Sequence, residues 1–392
     1  MEFELSPEER AFDAEVEAFL REHASADVMD ACPEQLSQTV DSPAKRAFMR
    51  KLAERGWLGM SWPKAYGGQE LPGIYDYILT EALSRHGAPQ PGKGVGIVGK
   101  TIIRHGSERM KREFLPRIMR GEIEFAIGYS EPGAGSDAAN MQLRATKVDG
   151  GWRLDGQKIW TTSAHFADWY WLGARTAPDA PKHKGITLFL IPMDTPGLTV
   201  RPTWTIGDER TNEVFFDGVF APDDAVVGEL NHGWTYVCEA LDLERFAMMP
   251  IGPLEMKTEA LVAHVRAAAR DGHPLREDPV ARARVARAAT ELEVARMLQR
   301  RVISEAVKGG VPTVASSMYK LFMNEAGKRL ANAALELLGH EAELKPGEPE
   351  APLGGRFERS YRYTVVDTIG GGTSEVQKNI IARRGLGLPQ SY

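Results

Sequence analysis

The sequence is poor in cysteine and in long apolar runs. Only two cysteines occur in 392 residues, Cys32 and Cys238, and they lie far apart without the spacing of a metal site. We therefore expect reduced thiols that serve in packing, in a cytoplasmic protein. No run of about 18 or more apolar residues is present, so we expect no membrane span.

Two further absences narrow the class of protein. The formal net charge is only −6, from 48 basic and 54 acidic residues, so nothing in the charge favours a nucleic acid as partner. Residues 1–9 are acidic and lack the basic and apolar regions of a signal peptide. The composition, 43% hydrophobic and 26% charged, is typical of a globular protein long enough for two or three domains.

The pattern of the sequence changes twice along the chain. Residues 1–121 carry apolar side chains at three- and four-residue spacing, which predicts helices. Residues 122–230 contain short apolar runs between glycines and prolines, which predict an antiparallel β barrel or sandwich. Residues 231–392 are rich in Ala, Arg, Leu and Glu and predict helices again, one of them over residues 260–270. The order α, β, α predicts an α+β fold of three domains with these boundaries.

The most informative run is residues 129–137, Tyr-Ser-Glu-Pro-Gly-Ala-Gly-Ser-Asp. Glycines on both sides of an alanine, the second being Gly135, let the backbone approach a ligand closely. Ser136 adds a hydroxyl and an amide at the same place. The alternative is a plain turn between strands, because short motifs also occur by chance.

A second run, residues 157–163, reads Gln-Lys-Ile-Trp-Thr-Thr-Ser. Its Trp160 is suited to stack on a planar ring, while the threonine hydroxyls bind the polar edge of that ring. A buried strand tryptophan is the alternative.

The third run, Leu-Asp-Leu-Glu-Arg at residues 241–245, lies on a predicted helix that also carries Met248 and Met249. A carboxylate beside so much apolar surface is either a base whose pKa is raised by desolvation or a structural group paired with Arg245. The residues alone do not decide between the two.

The fourth run, residues 369–377, reads Ile-Gly-Gly-Gly-Thr-Ser-Glu-Val-Gln. A glycine run opens a helix whose first turn has capping residues, which leaves amides for an anion or a carbonyl oxygen. A plain junction between loop and helix has the same pattern.

Together and in this order, the four runs resemble the acyl-CoA dehydrogenase family over nearly the whole chain. The resemblance implies an N-terminal helical domain, a middle β-barrel domain and a C-terminal four-helix domain, with FAD as cofactor and an acyl-CoA thioester as substrate. It also implies that Ser136 and Arg245 contact the substrate. The flavin contacts that it implies are Tyr129, Ser130, Gly135, Ser136, Trp160, Thr162, Thr373 and Glu375.

The reaction implied by the resemblance needs a carboxylate base for the α-proton and flavin N5 as acceptor of the β-hydride. In most family members the base precedes a Gly-Thr pair near the C-terminus, where this sequence has Gly371. A minority, including isovaleryl-CoA dehydrogenase, carries the base in a Leu-Asp-Leu-Glu-Arg run, and that run is present here. The resemblance therefore assigns the base to Glu244 and leaves the Gly371 amide as a donor to the thioester oxygen.

Two family elements that hold the flavin of a neighbouring subunit are missing. An Arg-x-x-Phe-Gly segment is replaced by Ala-Ala-Arg-Asp-Gly at residues 268–272, and a Gln-x-x-Gly-Gly-x-Gly loop by Glu-Leu-Leu-Gly-His-Glu-Ala at residues 336–342. The chain in this respect resembles one member of the paired actinobacterial subunits that dehydrogenate sterol side-chain CoA thioesters.

The pairing implies an α2β2 heterotetramer with a second acyl-CoA dehydrogenase-like subunit, a bulky or branched acyl group and electron-transfer flavoprotein as acceptor. The alternative is a homodimer or homotetramer in which Arg266 or Arg270 holds the flavin diphosphate. Two other functions stay open: a flavin oxidase on the same fold, and a non-catalytic subunit that completes a partner's site. Glu244 and the intact run 129–137 argue against the second.

Overall fold

The computed structural model describes residues 4–34, 39–247, 250–307, 310 and 312–389, with residues 241–247 and 307 described by backbone alone. Helices, then a sheet, then helices follow one another along the chain, so the predicted α+β fold is confirmed. The changes fall between Met119 and Phe125 and between Val227 and Gly233. The domain boundaries after residues 121 and 230 stay a prediction.

The N-terminal helices pack around aromatic side chains. Ser6 starts the first helix, because its hydroxyl accepts from the Glu9 amide while the Glu9 carboxylate accepts from the Ser6 amide. Phe19 of this helix contacts the rings of Phe48 and Trp57. The helices are α1 (Pro7–His23), α2 (Pro43–Glu54), α3 (Ile74–Arg85), α4 (Gly99–His105) and α5 (Glu108–Met119), and a π-helical turn, Gly94–Val98, leads into α4.

The middle part is an eight-stranded sheet in the order β6-β7-β3-β2-β4-β5-β8, with β1 beside β4. β2 and β3 form an antiparallel hairpin that turns at Gly150. Most pairs are antiparallel as expected, whereas β1 and β2 pair with β4 in parallel. The strands are β1 (Phe125–Gly128), β2 (Arg144–Val148), β3 (Gly151–Lys158), β4 (Trp169–Arg175), β5 (Ile186–Pro192), β6 (Leu198–Trp204), β7 (Arg210–Pro222) and β8 (Val226–Val227).

Both faces of the central strands are buried. Trp171 of β4 points to a core shared with Phe114 of α5 and Val237 of the first C-terminal helix. The neighbouring Tyr170 and Leu172 point to the opposite core, within the sheet domain. This alternation follows from the two-residue period of a strand, and it fixes the sheet against the N-terminal helices.

The C-terminal part is helical again. Its helices are α6 (Gly233–Ala247), α7 (Gly252–Ala267), α8 (Pro279–Val307), α9 (Thr313–Leu338), α10 (Arg356–Asp367) and α11 (Ser374–Ile380), and a short antiparallel pair, β9 (Ala269–Arg270) and β10 (His273–Pro274), separates α7 from α8. The prediction of a helix through Arg270 was wrong, because Asp271 and Gly272 turn the chain with φ of 50° and 78°.

A buried polar contact joins the two ends of the molecule. Lys257 Nζ of α7 donates to Glu34 Oε2 at 2.8 Å and to Ser360 Oγ of α10 at 3.0 Å. All three residues are buried, with Glu34 only 1% exposed.

Two remaining expectations can be compared with the structure. No helix among the described residues is long and apolar enough to cross a membrane. Cys32 is half-buried, whereas Cys238 is exposed in the single chain, which does not fit the packing role expected of it.

Candidate active site

The first two runs meet at the end of β1 and β3. The Ile159 amide donates to Ser130 O at 3.0 Å, and Lys158 Nζ donates to Tyr129 O at 3.3 Å. Lys158 Nζ also donates to Glu131 Oε1 at 2.7 Å. Two segments that lie about 30 residues apart in sequence therefore form one surface.

The Glu131–Lys158 pair is buried beneath that surface. The Glu131 carboxylate also accepts from the backbone amides of Gln142 at 2.5 Å and Leu143 at 2.9 Å. Burial lowers the pKa of Lys158 to about 8, although Glu131 opposes the shift. Lys158 is therefore still mainly protonated near neutral pH. Sequence reasoning missed this pair, whose only signal is one charge of each sign in the two runs.

The run from Glu131 forms a tight turn. The amides and carbonyls of Glu131 and Ala134 bond to each other at 3.1 and 3.0 Å. Gly135 and Ser136, just after it, are exposed. A side chain on Gly135 would meet no atom within 4 Å in the chain itself. The turn alternative is therefore correct for the local structure, and the turn leaves Gly135 and Ser136 open to a ligand.

Trp160 follows the end of β3 and is not a buried strand residue, so that alternative was wrong. Its side chain is 56% exposed, and its backbone has φ of +60°. A bulky residue rarely adopts this left-handed conformation, which is most frequent at functional sites. The neighbouring Thr161 hydroxyl is bonded to Tyr170 at 3.0 Å, whereas Thr162 is half-buried.

Tyr129 and Ser130 are both half-buried. The Tyr129 hydroxyl accepts from Trp171 Nε1 at 2.8 Å, which fixes its ring against the core beneath the sheet. The position of Ser130 follows from its carbonyl bond to Ile159.

The glycine run lies between α10 and α11. Thr373 caps α11 by accepting from the Val376 amide at 3.2 Å, as predicted. Gly371 has φ of +66°, and within the described residues its amide donates to no acceptor. Gln377, which sequence reasoning missed, donates from Nε2 to the carbonyls of Gly371 and Gly372 at 3.4 and 3.1 Å. It thereby holds the loop from below.

Glu375 is exposed on the first turn of α11. A backbone amide bond lowers its pKa, and the Thr373 hydroxyl adds to the shift. Among the described residues, no hydrogen bond joins residues 371–375 to residues 129–137 or 160–162. The structure therefore places Gly371, Thr373 and Glu375 in a separate loop of the C-terminal part.

Glu244 and Arg245 fall within α6, but their side chains lie outside the described residues. The α6 backbone packs against the π-helical turn Gly94–Val98 and against β5.

A cavity of about 270 Å³ lies between that π-helical turn, α3 and the end of the second run. Thr162 and Ser163 line it on one side, and Pro250, which leads into α7, lines it on another. π-Helical turns are rare in proteins, and those that occur often lie at functional sites. Sequence reasoning missed this cavity, because its walls come from segments that are distant along the chain.

Arg270 bears on the homomeric alternative. Its guanidinium donates to Leu337 O at the C-terminus of α9, next to Gly339. The side chain is thus already paired within its own chain.

Comparison with known families covers most of the chain. Family models match in order: Acyl-CoA dehydrogenase, N-terminal domain, over residues 6–122; middle domain over residues 126–219; and C-terminal domain over residues 231–386. The chain therefore belongs to the acyl-CoA dehydrogenase family.

Similar proteins support the same assignment. Acyl-CoA dehydrogenase FadE26 of Mycobacterium tuberculosis is 34% identical over 88% of each chain, and FadE29 of the same organism is 32% identical over 100% of this chain and 99% of its own. Among solved structures, the Tcur3481-Tcur3483 steroid ACAD has a TM-score of 0.89 at 33% identity, covering 100% of both chains. The ChsE4-ChsE5 complex from Mycobacterium tuberculosis has a TM-score of 0.90 at 31% identity, also over 100% of both chains.

The assignment confirms two predictions: the chain is an acyl-CoA dehydrogenase, and its cofactor is FAD. The residues present fit this cofactor. Trp160 offers an exposed aromatic face, and the space over Gly135 and Ser136 allows close approach to backbone amides. Thr162 lines the cavity.

Proposed function

We propose that this acyl-CoA dehydrogenase uses Glu244 as the base that removes the α-proton of a bulky or branched acyl-CoA, giving the 2-enoyl-CoA. The observation that carries the proposal is the cavity lined by Thr162 and by the π-helical turn against which α6 packs. A base on α6 would therefore lie near an acyl chain held in this cavity.

The proposal assigns roles to four residues of the chain. Glu244 takes the α-proton, and the Gly371 amide, which has no acceptor among the described residues, donates to the thioester oxygen, where negative charge develops. Bound FAD supplies the acceptor for the β-hydride. Ser136 and Arg245 are the proposed substrate contacts. Gly371 cannot itself be replaced by a base at low cost, since its φ of +66° favours glycine.

The proposed flavin site is built from two parts of the chain. Trp160 and Thr162 stand at the exposed end of β3, and Gly135 and Ser136 on the adjacent turn. Thr373 and Glu375 belong to the separate C-terminal loop and would reach the cofactor from the other side. The remaining proposed contacts are Tyr129 and Ser130.

We also propose that a second, different acyl-CoA dehydrogenase-like subunit completes the flavin site in an α2β2 heterotetramer. The names of the two similar structures join two chains each, which supports such pairing. The bond of Arg270 to Leu337 O supports it as well, since a paired guanidinium is less available to a neighbour's diphosphate. Electron-transfer flavoprotein is the proposed acceptor.

The Glu244→Gln variant tests the base. We expect it to keep its fold and FAD but to lose about three orders of magnitude in turnover, because the amide cannot accept the α-proton. Glu239→Gln is a matched control on the same helix, where the glutamate pairs with His105 at 2.8 Å, and should stay within about threefold of wild type. Near-normal turnover in Glu244→Gln would contradict the proposal.

The oxidase alternative is tested with the same preparation. Reduced flavin that persists in air after substrate addition supports a dehydrogenase, whereas stoichiometric hydrogen peroxide would support an oxidase.

A further inference from the structure

The cavity is lined mostly by apolar surface, but several charged or polar side chains line it as well. Lys93, Lys100, Asp76 and Glu124 all line it, together with Gln90. Apolar walls suffice for a plain hydrocarbon, whereas half-buried charges such as these have lost part of their hydration and are stabilised by a polar partner. The polar groups therefore call for a polar feature in the occupant.

Two of these groups, Lys93 and Glu124, already interact with other groups of the protein. Lys93 Nζ donates to Ser163 Oγ at 3.0 Å. Burial raises the pKa of Glu124 to about 7, with Arg46 and Lys93 opposing the shift.

Lys100 and Asp76 are different. Within the described residues, Lys100 Nζ donates to no oxygen and has no ion pair within 4.0 Å, although the Asp76 carboxylate is near enough to raise its pKa against the effect of burial. An ammonium and a carboxylate thus face one cavity without touching. A group that both accepts and donates a hydrogen bond satisfies the two at once.

Gln90 adds an unpaired acceptor to the same wall. Its Nε2 donates to Thr80 O at 3.3 Å, and because that carbonyl can only accept, the amide oxygen must face away from it. Gln90 Oε1 is buried without a donor among the described residues. A buried acceptor in this state is costly, and a nearby donor relieves it.

The charge balance selects among oxygen groups. A carboxylate on the occupant would pair with Lys100 but would meet the Asp76 carboxylate. A ketone accepts from Lys100 but has nothing to donate to Asp76. A hydroxyl does both.

We propose that this cavity binds a hydroxyl group on the acyl moiety, held between Lys100 and Asp76, so that the substrate is a hydroxylated branched or alicyclic acyl-CoA. This inference rests on the proposed function, since it assumes that the acyl chain enters at Thr162. Gly96 favours such an occupant, because it lines the cavity and a side chain there would meet nothing within 4 Å.

The test compares four matched thioesters with the FAD-loaded protein, copurified with its partner subunit where one is required. They are cyclohexylpropanoyl-CoA and its ring-hydroxylated, ring-keto and ring-carboxylated derivatives. We expect kcat/KM for the hydroxylated thioester to exceed that for the unsubstituted one by about tenfold or more. Calorimetry with the corresponding enoyl-CoA products should give the same order of Kd values.

Two variants locate the discrimination. In Lys100→Met and in Asp76→Asn, the ratio of kcat/KM between hydroxylated and unsubstituted thioesters should fall toward one. Lys51→Met, which removes an exposed lysine of α2 outside the cavity, should keep the wild-type ratio.

Each failure has its own meaning. A ratio unchanged in Lys100→Met, or equal use of the keto or carboxylated thioester, overturns the assignment of a hydroxyl. Absence of turnover with all four thioesters contradicts the proposed function, while the calorimetric order of the products still decides the inference.

Discussion

Trp160 combines a large exposed ring with a strained backbone in the free chain. Its φ of +60° costs a tryptophan roughly 1 kcal/mol, and its ring is 56% exposed, so it contributes little to the core. We expect Trp160→Gly to unfold in its FAD-free form at the same temperature as wild type or higher, because glycine removes the strain. FAD affinity should fall at least tenfold, since the stacking face is lost.

Thermal unfolding and fluorescence titration with FAD check both parts. Trp204→Ala is the control, as this tryptophan is also exposed, at 66%, but lies at the end of β6. A Trp160→Gly protein that is less stable yet binds FAD normally would contradict the flavin contact and show that Trp160 stabilises the fold.

The two ion pairs of the loop at residues 131–137 differ in burial. The pair of Lys158 and Glu131 is buried, with side chains 0% and 7% exposed. The pair of Lys182 and Asp137, whose charged atoms lie 2.8 Å apart, is on the surface, with side chains 47% and 55% exposed. Lys158→Met leaves a buried carboxylate uncompensated and should reduce the free energy of unfolding by about 3 kcal/mol or more. Lys182→Met should cost at most about 1 kcal/mol.

Chemical unfolding measures both variants, and a double-mutant cycle with Glu131→Gln isolates the coupling. We expect the double variant Lys158→Met/Glu131→Gln to lose less than the sum of the single losses. An additive cycle would show that the buried pair has no coupling to measure.

Sequence reasoning could predict candidate residues of a distinctive chemical type, and it missed those defined by distance. Trp160 and the cap Thr373 are recognisable because an aromatic ring or a hydroxyl at such a position has few other uses. Gln377 is an ordinary helix residue in the sequence, and its bonds to Gly371 and Gly372 depend on how the loop folds back.

At the scale of elements, Glu81 connects three helices. Its carboxylate on α3 accepts from the Ile251 amide at 3.1 Å, just before α7, and from Gln299 of α8, which Tyr77 also contacts at 2.9 Å. Burial raises the pKa of Glu81 from 4.5 to about 7.

A raised carboxyl pKa stabilises the fold at low pH. The contribution is fully present below the unfolded pKa of 4.5 and is lost as pH rises through about 7. From pH 6 to pH 8, wild type should therefore lose about 1 kcal/mol more of its unfolding free energy than Glu81→Gln, which does not titrate. Unfolding at both pH values measures this difference. Glu22→Gln, an exposed residue of α1, should behave as wild type, and parallel pH profiles for all three proteins would contradict the role of Glu81.

The elements themselves were largely predictable, because periodicity and capping are local. The π-helical turn Gly94–Val98 and the parallel pairing of β1 with β4 were not. Both depend on packing between segments that only the folded chain brings together. The prediction of a helix through Arg270 was wrong for a local reason, because the two residues after Arg270 form a turn.

At the scale of the whole molecule, the prediction concerns assembly. Burying the negative flavin diphosphate requires a cationic or amide partner, and Arg270 is already bonded to Leu337 O. The chain expressed alone should therefore hold little FAD. Coexpression with its partner subunit should give an α2β2 assembly with about one flavin per heterodimer.

Light scattering and flavin absorbance measure both quantities. As a control, Arg266→Ala should change neither in the heteromer. A stable, fully flavinylated and active homomer would contradict the heteromeric proposal and leave the placement of the base unaffected.

The bond from Lys257 to Glu34 and Ser360 has a consequence for biosynthesis. Ser360 follows Glu34 by 326 residues (360 − 34), and Lys257 by 103. At ordinary translation rates, roughly 15 to 65 s pass between the synthesis of Glu34 and that of Ser360. During that time the nascent N-terminal helices emerge from the ribosome with an acidic side chain whose partners do not yet exist. A polypeptide released before α10 would keep that interdomain surface exposed, as a substrate for chaperones and proteases.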